Sequence, residues 1–509
     1  MTSSRRLVGL TVVAVVAVAV GVVLAGVTAS GRPILASRWS LLWALAAWAA
    51  AWVVGVFAVL RLPVRVALPL VMVGAVALRL AALAGPPTTS DDLYRYSWDG
   101  RVQLAGHDPY VRPPQAASLV GLREPWLWPD AHGCAVLHRP AGCTRINRPS
   151  DRTIYPPVAE AWFAAAYRLG GIGARYKVWQ VAGLVTEVVV LGGLVVALRR
   201  WDADCRWVAL YALSPAPVLE IVNNGHVDGL AVAFIVAALA VAGGPRSGPA
   251  RRPAWVTEVA CGGLIGLAAM VKLYPAVLLV ALAGLGVRQG PVRAVGPHGP
   301  AAAGRLVGLV RAGLAALAVT VVAYLPHVVV AGGHVLGYLP GYLKEEHYRG
   351  GGRFLLAAAL HVPAAAAGAV SVGAVLVLVA WVLWRGPAVP RAAALLLAAI
   401  LLVTSPVQPW YAVSLLAVAT VAVRPRWGLV VAAGYPYFFA VILDHRHQRG
   451  LGQLGFAAAV VGVVAAAAVA ARRGRSAARD GGDVEQPPAG EPAVAGRPAP
   501  GGEGRGELA

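Results

Sequence analysis

The chain reads as an all-α protein, a polytopic transmembrane helix bundle of about 12–14 spans, and three observations carry that reading. Composition is the first: 58% of the 509 residues are apolar, only 13% are charged, and the mean hydropathy is +0.68. Soluble domains carry roughly 25% charged residues, about twice as many. The second is that the apolar residues come in runs. Residues 7–27 contain no charge, and a helix of that length reaches about 30 Å, the thickness of a bilayer core. The third is repetition. Similar runs continue to residue 471, where a soluble chain would interrupt them with polar faces.

Taken in order, the candidate spans are 7–27, 41–60, 64–84, 177–198, 206–220, 228–243, 256–271, 274–288, 306–330, 366–384, 390–404, 410–423, 427–443 and 452–471. Arg5 and Arg6 ahead of the first run resemble a secretory signal. That run is longer than the roughly 7–15-residue core of a signal peptide, and further apolar segments follow, so it is expected to remain as the first span. Spans such as 256–271 and 274–288 are shorter than about 17 residues and fit broken or re-entrant helices.

The formal charge of +21 looks at first like a nucleic-acid footprint. Its distribution argues otherwise, because there is no basic stripe with interleaved aromatics. The excess arginine sits in short gaps between apolar runs, where it sets orientation. With the N-terminus in the cytoplasm, the basic gaps at 61–65, 199–206, 246–252, 288–305, 385–391 and 424–426 all fall inside. The opposite parity exports every one of them. Nucleic acid is therefore not an expected partner; the lipid bilayer is.

This parity exports the chemically interesting segments: the long stretch 85–176, the turn 223–228, the segment 333–353, the turn 405–410 and residues 444–449. A connection as long as 85–176 is functional or disordered, and its Trp, Tyr and Pro content argues for order. The chain thus divides into a membrane-embedded domain, 1–471, and a Gly-, Pro- and Ala-rich tail, 472–509, expected to be disordered and cytoplasmic. Cys134 and Cys143 lie in the exported stretch. They can form a disulfide, remain free, or join His132 and His138 as a zinc set. Cys205 and Cys261 are expected to be unpaired.

The densest polar cluster follows the third span, from Ser90 through Asp91, Asp92, Tyr94, Arg95, Tyr96, Trp98 and Asp99 to Arg101. If a helix starts there, Asp91 or Ser90 can cap it, and Arg95 and Asp99 share a face at four residues. That is the ordinary structural role. The functional one makes a carboxylate the base for an acceptor hydroxyl, since partial desolvation and a neighbouring like charge both raise a carboxylate pKa. Two adjacent carboxylates can instead hold a divalent metal, a cofactor that nothing in the residues requires.

Asp92-Leu-Tyr-Arg-Tyr96, Trp98-Asp99-Gly100-Arg101, Gly106-x-x-Pro109-Tyr110 and Ile154-Tyr155-Pro156-Pro157 resemble the membrane glycosyltransferases of the GT-C superfold. They are most similar to the polyprenyl-phosphate-mannose-dependent mannosyltransferases, family 87 included. Asn224-Gly225-His226-Val227-Asp228-Gly229, Lys272-Leu273-Tyr274-Pro275 and Ser405-Pro406-x-Gln408-Pro409-Trp410-Tyr411 follow in the expected order, so the likeness covers about residues 60–470.

The resemblance implies a GT-C-like bundle whose first large extracytoplasmic loop carries a catalytic Asp. Asp92 matches that position and Asp91 is its reserve. The Asp deprotonates the acceptor while a hexose, mannose in the nearest families, leaves its polyprenyl phosphate with inversion. The implied partners are a polyprenyl-phosphate sugar and a glycolipid or cell-envelope glycan at the plasma membrane, while the basic gaps place both termini in the cytoplasm. The two spans ahead of 64–84 depart from the family pattern, which often places this loop after the first span.

A phosphate leaving group needs no general acid, so one base and some cationic support suffice. Arg95, His226, Lys272 and Arg353 are the candidate phosphate ligands; Tyr96, Asp99, Asn224, Asp228, Gln408, Trp410 and Tyr411 are candidates to bind substrate. Each has a plainer role open to it. Lys272 can snorkel, Arg353 can anchor at the interface, His226 and Asp228 can complete a polar turn, and 408–411 can belong to an aromatic belt. The run 344–347 reads as solvated charge, and Glu187 as a carboxylate facing the bundle interior. The rival class is a transporter or flippase of lipid-linked sugars, which places its polar groups near the bilayer midplane rather than at one face.

Overall fold

The structure is a computed structural model that describes residues 3–30, 34–171, 175–244, 253–285, 300–348, 353–405, 407–439 and 449–480. The basic gap 246–252, most of 288–305, the exported turn 444–449 except Arg449, Pro406 and the tail beyond 480 lie outside the described residues. The chain forms two compact units, Met1–Val463 and Val464–Ala509. Among the described residues it is helical, without a strand.

Helix α1 (Ser3–Ser30) packs on both α2 (Ile34–Val59) and α3 (Val64–Ala82). The stretch that follows holds α4 (Asp92–Leu104), the short α5 (Ala131–Val136) and α6 (Pro157–Gly170), with α4 laid against α6. Gly100 makes that approach possible: a Cβ there would stand 2.5 Å from the Phe163 carbonyl oxygen. Next come α7 (Tyr176–Arg200), α8 (Val208–Ala212) and a π-helical turn, Pro217–Asn223. The turn is bent by 63° from the segment before it. Pro215 and Pro217 lack the N–H that would continue a regular helix, and wide turns of this kind carry inward-facing polar groups.

Beyond the turn run α9 (Asp228–Ala242), α10 (Ala254–Ala269) and a 3-10 helix, Tyr274–Gly284. The chain continues through α11 (Pro300–Ala331), α12 (Leu339–Glu345), α13 (Leu355–Ala359), α14 (Ala364–Arg385) and α15 (Val389–Val403). It ends in α16 (Ala412–Val421), α17 (Gly428–Tyr437) and α18 (Arg449–Asp480), whose last turns overlap the expected tail. Helices α7, α9, α10 and α11 form a packed series, and α16 contacts α9, α15 and α17.

Among the described residues, seven helices are long and apolar enough to cross a membrane, or eight with the bent pair Cys205–Ala212 and Pro217–Asn223 taken as one span. The spans expected at 228–243, 256–271, 274–288, 390–404 and 410–423 are shorter apolar helices of 10–17 residues. Hydropathy cannot separate a full crossing from a short buried helix.

Glu187 does face the interior, and its partner is Arg79. Arg79 donates from Nη2 to Glu187 Oε2 at 2.6 Å and from Nε at 3.1 Å, while Tyr211 donates to the other oxygen at 2.6 Å. Both charged side chains are buried, so each needs the other. This pair fixes α3 to α7 and α8.

Candidate active site

Helix α4 begins at Asp92, and Asp91 occupies the position ahead of its first turn. Asp91 caps nothing with its side chain; the Asp92 N–H bonds to Ser90 Oγ at 3.2 Å. The carboxylate of Asp91 is turned instead toward Asn147. Asn147 Nδ2 donates to Asp92 Oδ1 at 2.7 Å and to Asp91 Oδ1 at 3.2 Å. The segment carrying Asn147 is tied down just upstream. Cys134 and Cys143 form a disulfide with a Cα–Cα distance of 5.8 Å, Arg139 donates to the Thr144 carbonyl, and Thr144 Oγ1 donates to the Leu127 carbonyl. Cys205 and Cys261 are unpaired.

Burial pushes the Asp91 carboxyl above its ordinary value, and the Asp92 charge adds to that. Asn147 and Arg139 oppose the rise. Asp91 therefore keeps a proton to higher pH than a free aspartate.

Behind Asp92 stands the turn between the π-helical segment and α9. Gly225, at φ +68°, lets the chain reverse against Trp179, where a Cβ would be crowded. The turn presents His226, whose Nδ1 lies 3.6 Å from Asp92 Oδ2 and whose Nε2 lies 3.6 Å from Glu220 Oε2. The imidazole stacks on Trp410, with ring centroids 4.2 Å apart. Glu220 in turn accepts from Asn224 Nδ2 at 3.0 Å and from Tyr435 at 2.9 Å. Asn223 and Asn224 also grip the loop before Asp91: their side-chain oxygens accept from the Thr88 N–H, and Asn224 accepts from Thr89 as well.

Asp228 is buried at the start of α9, and Lys272 Nζ sits 3.5 Å from its Oδ2. Neither oxygen of Asp228 has a hydrogen-bond partner. Lys272 also lies 5.1 Å from the ring centroids of both Tyr155 and Tyr411, a cation held among aromatic faces.

Asp92, Tyr155, Lys272, Trp410 and Tyr411 border a cavity of about 510 Å³, within the usual range for small-molecule sites. Asp91, Asp92, Asn147 and Arg95 line it from the loop and α4, Lys272 and Tyr274 from the end of α10, and Gln408, Trp410 and Tyr411 from the turn before α16. Arg353, Glu346 and Tyr342 line it from the segment around α12, and aliphatic residues including Leu339, Leu343, Ile400 and Leu401 complete it.

Of the residues singled out in the sequence, Asp91, Asp92, Arg95, Lys272, Arg353, Gln408, Trp410 and Tyr411 share this cavity. Tyr96, Asp99, Asn224, His226 and Asp228 do not line it. Tyr96 is buried and stacked on Phe163, with centroids 4.3 Å apart. Asp99 receives Arg95 Nε at 2.8 Å, the four-residue pair that the ordinary reading expects. Arg95 Nη1 further bonds the Asp151 carbonyl, so this guanidinium ties α4 to the loop while facing the cavity. Glu160 joins the same buried knot through Thr153, Gln103 and Asp99. Burial, then the charge of Asp99, pushes the Glu160 carboxyl well above its ordinary value.

The run 344–347 is not merely solvated charge, which corrects the sequence reading. Glu345 takes two bonds from Arg148, at 2.8 and 3.0 Å, and Glu346 lines the cavity and pairs with Arg353. A tertiary pairing across about 200 residues leaves no local sequence signal. Asn147 and Glu220 were also passed over. Glu220 could have been flagged as a carboxylate at the end of an apolar run; nothing local marks Asn147. Among the described residues no group of three or more His, Cys, Asp or Glu side chains is gathered as a metal-ligand set. His132 and His138 accordingly form no zinc site with the disulfide-bonded cysteines.

Residues 153–406, about half of the chain, match the family model of glycosyltransferase family 87. The match contains Tyr155, the turn with Glu220, His226 and Asp228, Lys272, and Arg353, whereas Asp91 and Asp92 precede it and Gln408 follows it. No match is found among curated proteins or solved structures. An all-helical membrane protein with a cavity bordered by paired carboxylates and cations is in keeping with that match, and the chain belongs to glycosyltransferase family 87.

Proposed function

We propose that this glycosyltransferase moves a hexose, mannose being the expected sugar, from a polyprenyl-phosphate donor to a glycolipid or cell-envelope glycan at the outer face of the plasma membrane. One observation carries the reading: Asp92 and Lys272 border the same cavity, among aromatic and aliphatic side chains. Asp92 accepts the proton of the acceptor hydroxyl as its oxygen bonds to C1 of the sugar. The C1–O bond to phosphate breaks on the opposite face, giving inversion, and the phosphate departs with the electron pair. Lys272 and Arg353 stabilise that charge as it develops. Leu339, Leu343, Ile400 and Leu401 suit the start of a polyprenyl chain. The outward orientation rests on the basic gaps between spans.

The test is transfer of radiolabelled mannose from polyprenyl phosphate into a glycolipid extract by purified protein in lipid vesicles, with and without chelator. Label in a new glycolipid, unaffected by chelation, is the expected result. Absence of transfer from every polyprenyl-phosphate sugar tried overturns the donor assignment. Label crossing the vesicle without entering product belongs to the transporter reading.

A further inference from the structure

We infer that His226 serves the reaction through Asp92, as a positioning residue whose tautomer is set by Glu220, and not as a ligand of the donor phosphate. This deepens the proposed function and rests on Asp92 being the base. The side chain of His226 is fully buried and does not line the cavity; Trp410 lines it and stacks on the imidazole. Neither ring nitrogen has a conventional hydrogen-bond partner, yet each faces one carboxyl oxygen at 3.6 Å, Asp92 from Nδ1 and Glu220 from Nε2. Catalytic contacts of this length commonly tighten when substrate binds.

Proton counting makes the arrangement directional. A neutral imidazole has one N–H and one lone pair. For Asp92 to be ionised and oriented, the N–H belongs on Nδ1, where it complements the bond that Asn147 makes to the other oxygen of Asp92. Nε2 then needs a proton shared with Glu220 or donated by it. If that shared proton is lost, the remaining N–H is drawn to Nε2, and a lone pair at Nδ1 faces the carboxylate of Asp92. The base loses its second support.

The surroundings suit this role. Glu220 is fixed by Tyr435 from α17 at 2.9 Å and by Asn224 at 3.0 Å, and both leave it facing Nε2. The other charged groups that face the imidazole are Asp228 of α9 and Lys272 beyond α10, which neutralise each other at 3.5 Å. Asp92 and Asp228 are the further carboxylates facing Glu220.

The experiment compares wild type, His226→Gln and Glu220→Gln in lipid, using whichever polyprenyl-phosphate sugar the wild type transfers. His226→Gln is expected to lower kcat about 10- to 100-fold, the scale of a misplaced catalytic group, with binding of polyprenyl phosphate itself unchanged. Glu220→Gln can donate to Nε2 at any pH, so the alkaline fall in kcat expected of the wild type should be absent from it. Weakened polyprenyl-phosphate binding with kcat intact in His226→Gln makes His226 a phosphate ligand and overturns the inference. So does an alkaline limb that Glu220→Gln leaves in place.

Solid-state nitrogen NMR of isotope-labelled histidine gives a readout independent of turnover. The signal that disappears in His226→Gln should carry a proton on Nδ1. A neutral ring protonated at Nε2 alone refutes the tautomer, even if the wild type transfers no sugar. That last outcome is the separate failure of the proposed donor.

Discussion

Asn147 Nδ2 lies 2.7 Å from Asp92 Oδ1, a bond between the loop after the disulfide and the first residue of α4. It fixes one carboxylate oxygen and leaves the remaining lone pairs toward the cavity that Asp92 lines. Asn147→Ala should lower kcat about 10- to 100-fold with a smaller effect on the KM for donor, because the base is misplaced while the phosphate ligands stay. Steady-state kinetics in vesicles separate the two parameters. An unchanged kcat contradicts the assignment.

Lys272 is held by Asp228 at 3.5 Å and by the faces of Tyr155 and Tyr411. If it supports the departing phosphate, Lys272→Met should reduce kcat/KM by about 100- to 1,000-fold, the usual cost of one preorganised charge in a dry site. Lys272→Arg should recover only part, since a planar guanidinium does not fit a pocket shaped around an ammonium. Activity within a few-fold of wild type in Lys272→Met would leave the residue as a snorkelling lysine.

The buried pair of Arg79 and Glu187 predicts a stability effect distinct from any catalytic one. Arg79→Met should destabilise the protein by about 3–5 kcal/mol by stranding a carboxylate among apolar side chains. The double variant Arg79→Met, Glu187→Met should recover most of that loss. Thermal melts in detergent measure both; a double variant as unstable as the single would mean that the pair does more than satisfy itself.

Glu160 supplies the pH dependence. Its carboxyl is raised well above 4.5 by burial and by the charge of Asp99. Between the unfolded and folded values the native state holds one proton more than the unfolded chain. Its stability is therefore present at low pH and falls as pH rises through that window, by at most about 1.4 kcal/mol per unit. Glu160→Gln has no such proton to release. Its melting temperature should fall less steeply than that of wild type as pH rises above about 4.5, and equal slopes would contradict the raised Glu160 carboxyl.

The parts legible in the sequence were those written in local pattern. Runs of apolar residues announced the membrane helices, and the clustered Asp91, Asp92 and Arg95 and the isolated Lys272 drew attention because charge is scarce in such a chain. Tyr274–Gly284 falls in a run too short for a plain crossing, and hydropathy, which records burial and not length across a bilayer, left it open between a span and a broken or re-entrant helix. The ion pairs of Arg148 with Glu345 and of Arg353 with Glu346 stayed hidden, the first because its partners meet only after folding. That His226 lies behind Trp410 and outside the cavity lining was hidden for the same reason: its chemistry could be read, but not which face of the turn meets the cavity.

The most direct test of the central claim is single-turnover sugar transfer from a radiolabelled polyprenyl-phosphate mannose by wild type and Asp92→Asn, in the same lipid, with donor binding measured alongside. If Asp92 is the base, Asp92→Asn binds donor normally and its transfer rate falls by about 100- to 10,000-fold, the contribution expected of a general base. Transfer at the wild-type rate in Asp92→Asn would contradict the account.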